Sequence, residues 1–318
     1  MTPDLERRTL GRTELRVSVL GLGTVELGTD YGIRAPGDFG RPPKAAALTL
    51  LRAAADRGVE FFDTAPDYGT AEALLGEALG DRDECVLATK VAVPADASGR
   101  QVGAADLRRE VAASLAESRR ALRRETLGVV QIHSADLDVL ADGTLAQALV
   151  EARDRGEVRF IGASVYTEAE ALAAIDAGCF DVLQVPYNLL DRRMEPRVFA
   201  AARRARVGIV TRSAFLKGAL TPKVSCLPPS LAPLAAAADR ARRALDVTWD
   251  ELPAVALRFC LSSPDVATVV VGVRTADELA AAVAAAAAGP LPDAAVIARA
   301  ACAVTDERLV DPSTWGPL

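Results

Sequence analysis

The sequence predicts an α/β protein: a (β/α)8 TIM barrel with a short N-terminal β-hairpin and a C-terminal helix, one domain over residues 1–318. Three observations predict it. Eight short runs are apolar almost without interruption, as parallel strands covered on both faces are. Each is followed by a stretch in which Ala, Leu, Glu and Arg recur with helical spacing. The fingerprint of an open dinucleotide-binding sheet is missing, because Gly21-Leu22-Gly23 lacks its third glycine.

Taken in order, segment 8–16 carries a turn signal at Gly11-Arg12 and suits a hairpin covering the barrel floor. Strands are expected over 17–24, 59–65, 85–91, 127–134, 158–164, 182–188, 208–214 and 267–273. Helices are expected over 44–57, 71–79, 104–123, 144–155, 167–177, 196–206, within 231–262, and over 275–288. Thr144, Thr167 and Thr275 read as helix caps. No stretch has the composition of an interdomain linker, and there is no internal repeat.

Composition narrows the partners. Half the chain is apolar, a quarter is charged, and the net charge is −6 with 4 % aromatics. An acidic chain without a basic cluster or stacking platforms is a poor nucleic-acid binder. The longest apolar run, 279–288, is too short and too rich in Ala to span a bilayer. Residues 1–8 lack the apolar core of a signal peptide. Cys85, Cys179, Cys226, Cys260 and Cys302 are scattered without a Cys-x-x-Cys pair and read as reduced thiols of a cytoplasmic protein. His133 is the one histidine, which excludes a multi-histidine metal site; no metal is expected. A small molecule is the expected partner.

In a barrel the active site lies at the C-terminal strand ends. There the chain offers Asp63 and, just beyond it, Tyr68; then Lys90; then His133. A phenol has a pKa of about 10, and a neighbouring ammonium lowers it. Lys90 would supply that cation, Asp63 would hold the lysine, and neutral His133 could donate to a carbonyl oxygen. Together they make a general acid and an oxyanion-type donor facing one electrophile. Singly, each residue is a loop cap, a solvated lysine, a core histidine or a loop aromatic. On adjacent strand ends they make a site.

These residues resemble the aldo-keto reductase superfamily, over nearly the whole chain. The resemblance rests on Leu10-Gly11-Arg12-Thr13, Gly21-Leu22-Gly23-Thr24, Phe62-Asp63-Thr64-Ala65-Pro66-Asp67-Tyr68-Gly69, Thr89-Lys90-Val91, Gln131-Ile132-His133 and Gln184-Val185-Pro186-Tyr187-Asn188, in that order. It implies NAD(P)H-dependent interconversion of a carbonyl and an alcohol, with Tyr68 as proton donor, Lys90 and Asp63 tuning it, and His133 orienting the carbonyl. It also implies that Gly23, Thr24 and Asp63 border the nicotinamide, that Ser164 and Gln184 contact its carboxamide, and that Ser213, Phe215, Leu216, Lys217 and Gly218 hold the pyrophosphate. Gly272, Arg274 and Glu278 fall in the segment for the adenosine phosphate.

The chain also departs from the family pattern. Val165 stands where the family often has Asn, which removes one carboxamide contact. Arg212 stands where a tyrosine commonly stacks on the nicotinamide, and a guanidinium plane could stack similarly. Arg274 as partner of a 2′-phosphate favours NADP(H), with NAD(H) the alternative. The segment 23–33 is similar to members acting in sugar, polysaccharide or glycoside pathways, and Arg34, Asp38 and Arg41 suggest a polar lid suited to a hydroxylated substrate. Two competing readings are a low-turnover cofactor-binding regulatory subunit on the same barrel, and a lyase using Lys90 as a Schiff base.

Overall fold

The computed structural model describes residues 5–94, 103–293, 297 and 303–316. Its first elements are the antiparallel strands β1 (Arg7–Thr9) and β2 (Arg16–Ser18), the expected hairpin. The barrel strands are β3 (Leu20–Gly23), β4 (Phe61–Asp63), β5 (Val86–Val91), β6 (Leu127–Ile132), β7 (Val158–Ser164), β8 (Val182–Pro186), β9 (Gly208–Arg212) and β10 (Val266–Gly272). All pair in parallel and close in the order β10-β3-β4-β5-β6-β7-β8-β9. The run at 17–24, expected as one strand, is two. The Ser18 hydroxyl donates to the Leu20 carbonyl (2.7 Å) and accepts from Glu60 N (2.9 Å), so the chain turns from hairpin into barrel there.

Around the barrel lie α1 (Val25–Gly28), α2 (Lys44–Asp56), α3 (Ala71–Leu79), α4 (Ala104–Leu122), α5 (Leu137–Asp142), α6 (Thr144–Asp154), α7 (Glu168–Asp176), α8 (Val198–Ala205), α9 (Ala232–Ala244), α10 (Leu252–Leu261), α11 (Ala276–Ala287) and α12 (Glu307–Val310). Thr167 and Thr275 close capping boxes with Glu170 and Glu278. Thr144 does not cap its helix. Gly143, with φ +68°, holds the N-cap place, and Thr144 N donates to Asp142 Oδ2. The extra helix α5 starts where the Asp136 carboxylate accepts from Val139 N (2.8 Å). The C-terminal helix is a single turn among the described residues, with Val310 buried; Cys302 lies outside them. No described helix is long and apolar enough to cross a membrane.

The strand period of two explains the interior. Phe61, Ala88, Val129, Val182 and Val210 point inward and make an apolar layer with Leu10 and Val17 of the hairpin region, which plug the floor. Two residues further along the same strands stand Asp63, Lys90, Gln131, Gln184 and Arg212. A polar layer therefore sits directly above an apolar one. Helix-facing residues such as Val130, Ile132, Ile161 and Val185 join the larger core outside the barrel.

Candidate active site

Asp63 and Lys90 meet inside the barrel mouth. Lys90 Nζ lies 2.8 and 2.7 Å from the two carboxylate oxygens and 2.9 Å from the Thr64 carbonyl, so all three ammonium protons have acceptors. Burial alone would drive this ammonium down, but Asp63 and Tyr68 outweigh it and hold Lys90 above the ordinary range. A lysine so held is a fixed cation, not the free amine a Schiff base needs. Asp63 Oδ1 also accepts from Gln184 Nε2 (2.7 Å) and Gln131 Nε2 (3.4 Å). An ionised carboxylate only accepts, so both amides turn their nitrogens inward. Sequence reasoning missed Gln131, although its place two residues above Val129 marks it as inward-facing.

Tyr68 follows β4 in a loop pressed against α1. A Cβ on Gly28 would stand 1.9 Å from the Tyr68 carbonyl oxygen, so the close approach that places the phenol requires glycine. The Tyr68 hydroxyl is 3.3 Å from His133 Nε2, and Lys90 Nζ is 4.9 Å from the Tyr68 ring centre. The four expected residues therefore converge. The phenol itself is shifted against expectation: burial raises it more than Lys90 lowers it, so Tyr68 sits above its ordinary value. It is a neutral acid with a proton to give.

His133 is held from behind by Asp67, whose Oδ2 is 3.1 Å from Nδ1. Burial first, then Lys90, lowers the imidazole below its ordinary value and keeps it neutral. With the Nδ1 proton toward Asp67, Nε2 accepts the phenol proton. The expected donation from His133 to a carbonyl is thus replaced, before any ligand arrives, by a Tyr68–His133–Asp67 chain.

The tetrad opens into a cleft of about 480 Å³, within the range of small-molecule sites. Gly23, Thr24 and Asp63 border its inner end, with Ser164 and Gln184 beside them. Among the described residues, Ser164 Oγ and Gln184 Oε1 have no protein partner, leaving a hydroxyl and an acceptor for a carboxamide. Ser213, Phe215, Lys217 and Gly218 line the middle. Ser213, Leu216 and Lys217 all have left-handed φ (63°, 47° and 55°), the kind of backbone concavity that takes an anion. Lys217 lies over the Tyr31 ring and is lowered by burial. Gly272 and Glu278 line the outer end, beside the apolar Ala281, Ala282 and Leu257. These residues fit a dinucleotide.

Four expected placements differ. The Leu216 side chain is buried in the core rather than lining the cleft. Arg212 lines the cleft, but its guanidinium lies 4.1 Å from the Tyr166 ring centre and donates to the Val165 carbonyl and Ser213 Oγ. Of the polar lid, Asp38 alone reaches the cleft; Arg34 lies over Phe39, and Arg41 binds the Gly28 carbonyl. Arg274 does not line the cleft: its donors are taken by Asp38, Gly40 and Glu26.

With this geometry in place, comparisons with known proteins agree. The model of the aldo/keto reductase family matches residues 19–302. The aldo-keto reductase YhdN of Bacillus subtilis is 28 % identical over 226 residues, and the match covers 70 % of this chain and 65 % of that protein, just under two thirds of its length. Pyridoxal 4-dehydrogenase of Microbacterium luteolum is 28 % identical, covering 86 % of this chain and 91 % of the relative. L-galactose dehydrogenase of Arabidopsis thaliana is 27 % identical over 86 % of each. Among solved structures, the holo form of aldo-keto reductase AKR11C1 from Bacillus halodurans superposes with a TM-score of 0.79 at 26 % identity, over 95 % of this chain and 98 % of that one.

Proposed function

The chain belongs to the aldo/keto reductase family, and we propose that it interconverts an aldehyde or ketone with its alcohol on a small, hydroxylated, sugar-like molecule. The observation that carries this reading is the convergence of Tyr68, His133, Lys90 and Asp63 at the inner end of the cleft. A nicotinamide held by Ser164 and Gln184 would supply a hydride for the carbonyl carbon. Tyr68, neutral and half-buried, gives its proton to the oxygen as charge develops there. The phenolate left behind faces the Lys90 ammonium, which is fixed by Asp63 and stabilises it. For that transfer the phenol proton turns from His133 Nε2, where it rests in the unliganded site, to the substrate oxygen.

Ser164 and Gln184 would hold the carboxamide, the 213–218 loop with Lys217 the pyrophosphate, and Gly272 and Glu278 the adenosine end. The ground for favouring NADP(H) weakens, because the donors of Arg274 are engaged. A hydroxylated substrate is supported by Tyr31 and Tyr166, which line the mouth with hydroxyls that have no partner among the described residues. One of the relatives named above is also named for a sugar.

Tyr68→Phe tests the reading. It keeps the ring and removes the acid, so dinucleotide binding survives while single-turnover reduction of hydroxylated aldehydes falls by roughly 10²–10⁴. An unchanged rate places the acid elsewhere. A wild type that binds the cofactor and turns over none of a broad carbonyl panel would favour the regulatory-subunit reading.

A further inference from the structure

Arg274 follows β10 and is only 8 % exposed at its side chain. Its Nη2 pairs with Asp38 Oδ1, its Nε stands 3.5 Å from Glu26 Oε2, and Nη2 is 3.9 Å from Glu278 Oε1. The carbonyls of Gly40 and Asp38 take further donors at 3.3 Å each. Asp38 is pinned a second time, 3.0 Å from Lys223 Nζ. Three carboxyl groups thus crowd one guanidinium at the outer end of the cleft, and Glu26, Asp38 and Glu278 line the cleft while the guanidinium does not.

The position of this cluster gives it a task. The inner end of the cleft presents the hydroxyl and acceptor suited to a carboxamide, and the middle presents the anion-binding loop with Lys217. What remains for the adenosine half is the apolar slot at Ala281, Ala282 and Leu257, beside Glu278 and Gly272. The ribose of that half therefore meets Glu26, Asp38 and Glu278, and the cation lining the cleft beside them, Lys223, is already paired to Asp38.

We propose that Glu26, Asp38 and Glu278 make this end selective for a dinucleotide with a free ribose 2′-hydroxyl, NADH, over one carrying a 2′-phosphate. The inference rests on the dinucleotide reading above. A carboxylate accepts a hydrogen bond from a ribose hydroxyl, whereas a 2′-phosphate calls for a free arginine. Here the phosphate would have to displace Asp38 from Arg274, and it would then share the space with the carboxylate it displaced. Like charges so close disfavour one another. Arg274 serves instead to tie Asp38, and with it the 29–43 segment, to the strand end.

Equilibrium titration of nicotinamide fluorescence with NADH and NADPH tests this on the intact chain. The wild type is expected to bind NADH at least tenfold more tightly. Asp38→Asn, in a half-exposed loop, releases one carboxylate from Arg274, so NADPH binding tightens and the NADH-over-NADPH ratio narrows about tenfold. Glu26→Gln, which removes a different carboxylate, is expected to narrow the preference in the same direction. Equal affinities in the wild type, a wild-type preference for NADPH, or a ratio unmoved by both substitutions would overturn the inference and leave the dinucleotide reading standing. Absence of binding by either cofactor would overturn both.

Discussion

Replacing Asp63 by Asn probes the buried ion pair without changing its volume. Asp63 Oδ1 accepts from Lys90, Gln184 and Gln131, while Oδ2 accepts from Lys90 alone. An asparagine at 63 therefore puts its amide nitrogen in the Oδ2 place, with its protons toward the ammonium. Lys90, 1 % exposed, keeps the Thr64 carbonyl and one amide oxygen. Breaking a buried pair from one side costs about 3–5 kcal/mol, and the retained neutral acceptors put this case near the lower bound. Lys90→Met leaves Asp63 with two amide donors and costs about 3 kcal/mol as well. The double variant removes both charges and loses about 3 kcal/mol, well short of the summed singles.

Urea unfolding of the four proteins at pH 7 closes the cycle. The sign of the pH dependence follows from Lys90. Its folded value is raised, so its stabilisation is full below the ordinary lysine pKa near 10.4 and is lost as pH climbs through the folded value. In Asp63→Asn, burial is no longer outweighed and the shift reverses, so the defect shrinks as pH approaches about 10. Additive losses would show that the two charges do not depend on each other and would refute this account of the site.

Two further predictions concern placement and pH. Gly28→Ala forces the Tyr68 loop to move, since the new Cβ would stand 1.9 Å from the Tyr68 carbonyl; turnover falls about 10²-fold while circular dichroism shows the barrel intact, and an unchanged turnover rules out this role for Gly28. The His133 imidazole is lowered by burial and then by Lys90, so the stability it contributes as a neutral ring is present above about pH 6.5 and lost as pH falls toward the folded value. His133→Gln should flatten that stretch of the stability–pH curve, and identical slopes in both proteins would show that the imidazole is not held neutral.

The barrel is legible because its signals are local. The strand expected at 158–164 and the helix at 71–79 coincide with β7 and α3. The tetrad is legible for the same reason: Phe61 then Asp63, and Ala88 then Lys90, read the strand period directly. What escapes is pairing over distance. Arg274 meets Asp38 across 236 positions, and no spacing rule shows that the arginine is taken. Gln184 meets Asp63 across 121 positions, so its donor side stays hidden behind its expected cofactor contact. Burial is equally invisible in the chain, which is why the sequence argument gives Lys90 the decisive effect on Tyr68 and the folded site gives it to desolvation.

In the strand order, β4 and β8 stand on opposite sides of the barrel. The Gln184–Asp63 hydrogen bond therefore runs across the bore as a tie rod, holding the rim round at the level of the Lys90–Asp63 pair. Loss of this one bond would let the rim flatten at that level while the ladders between neighbouring strands stay paired.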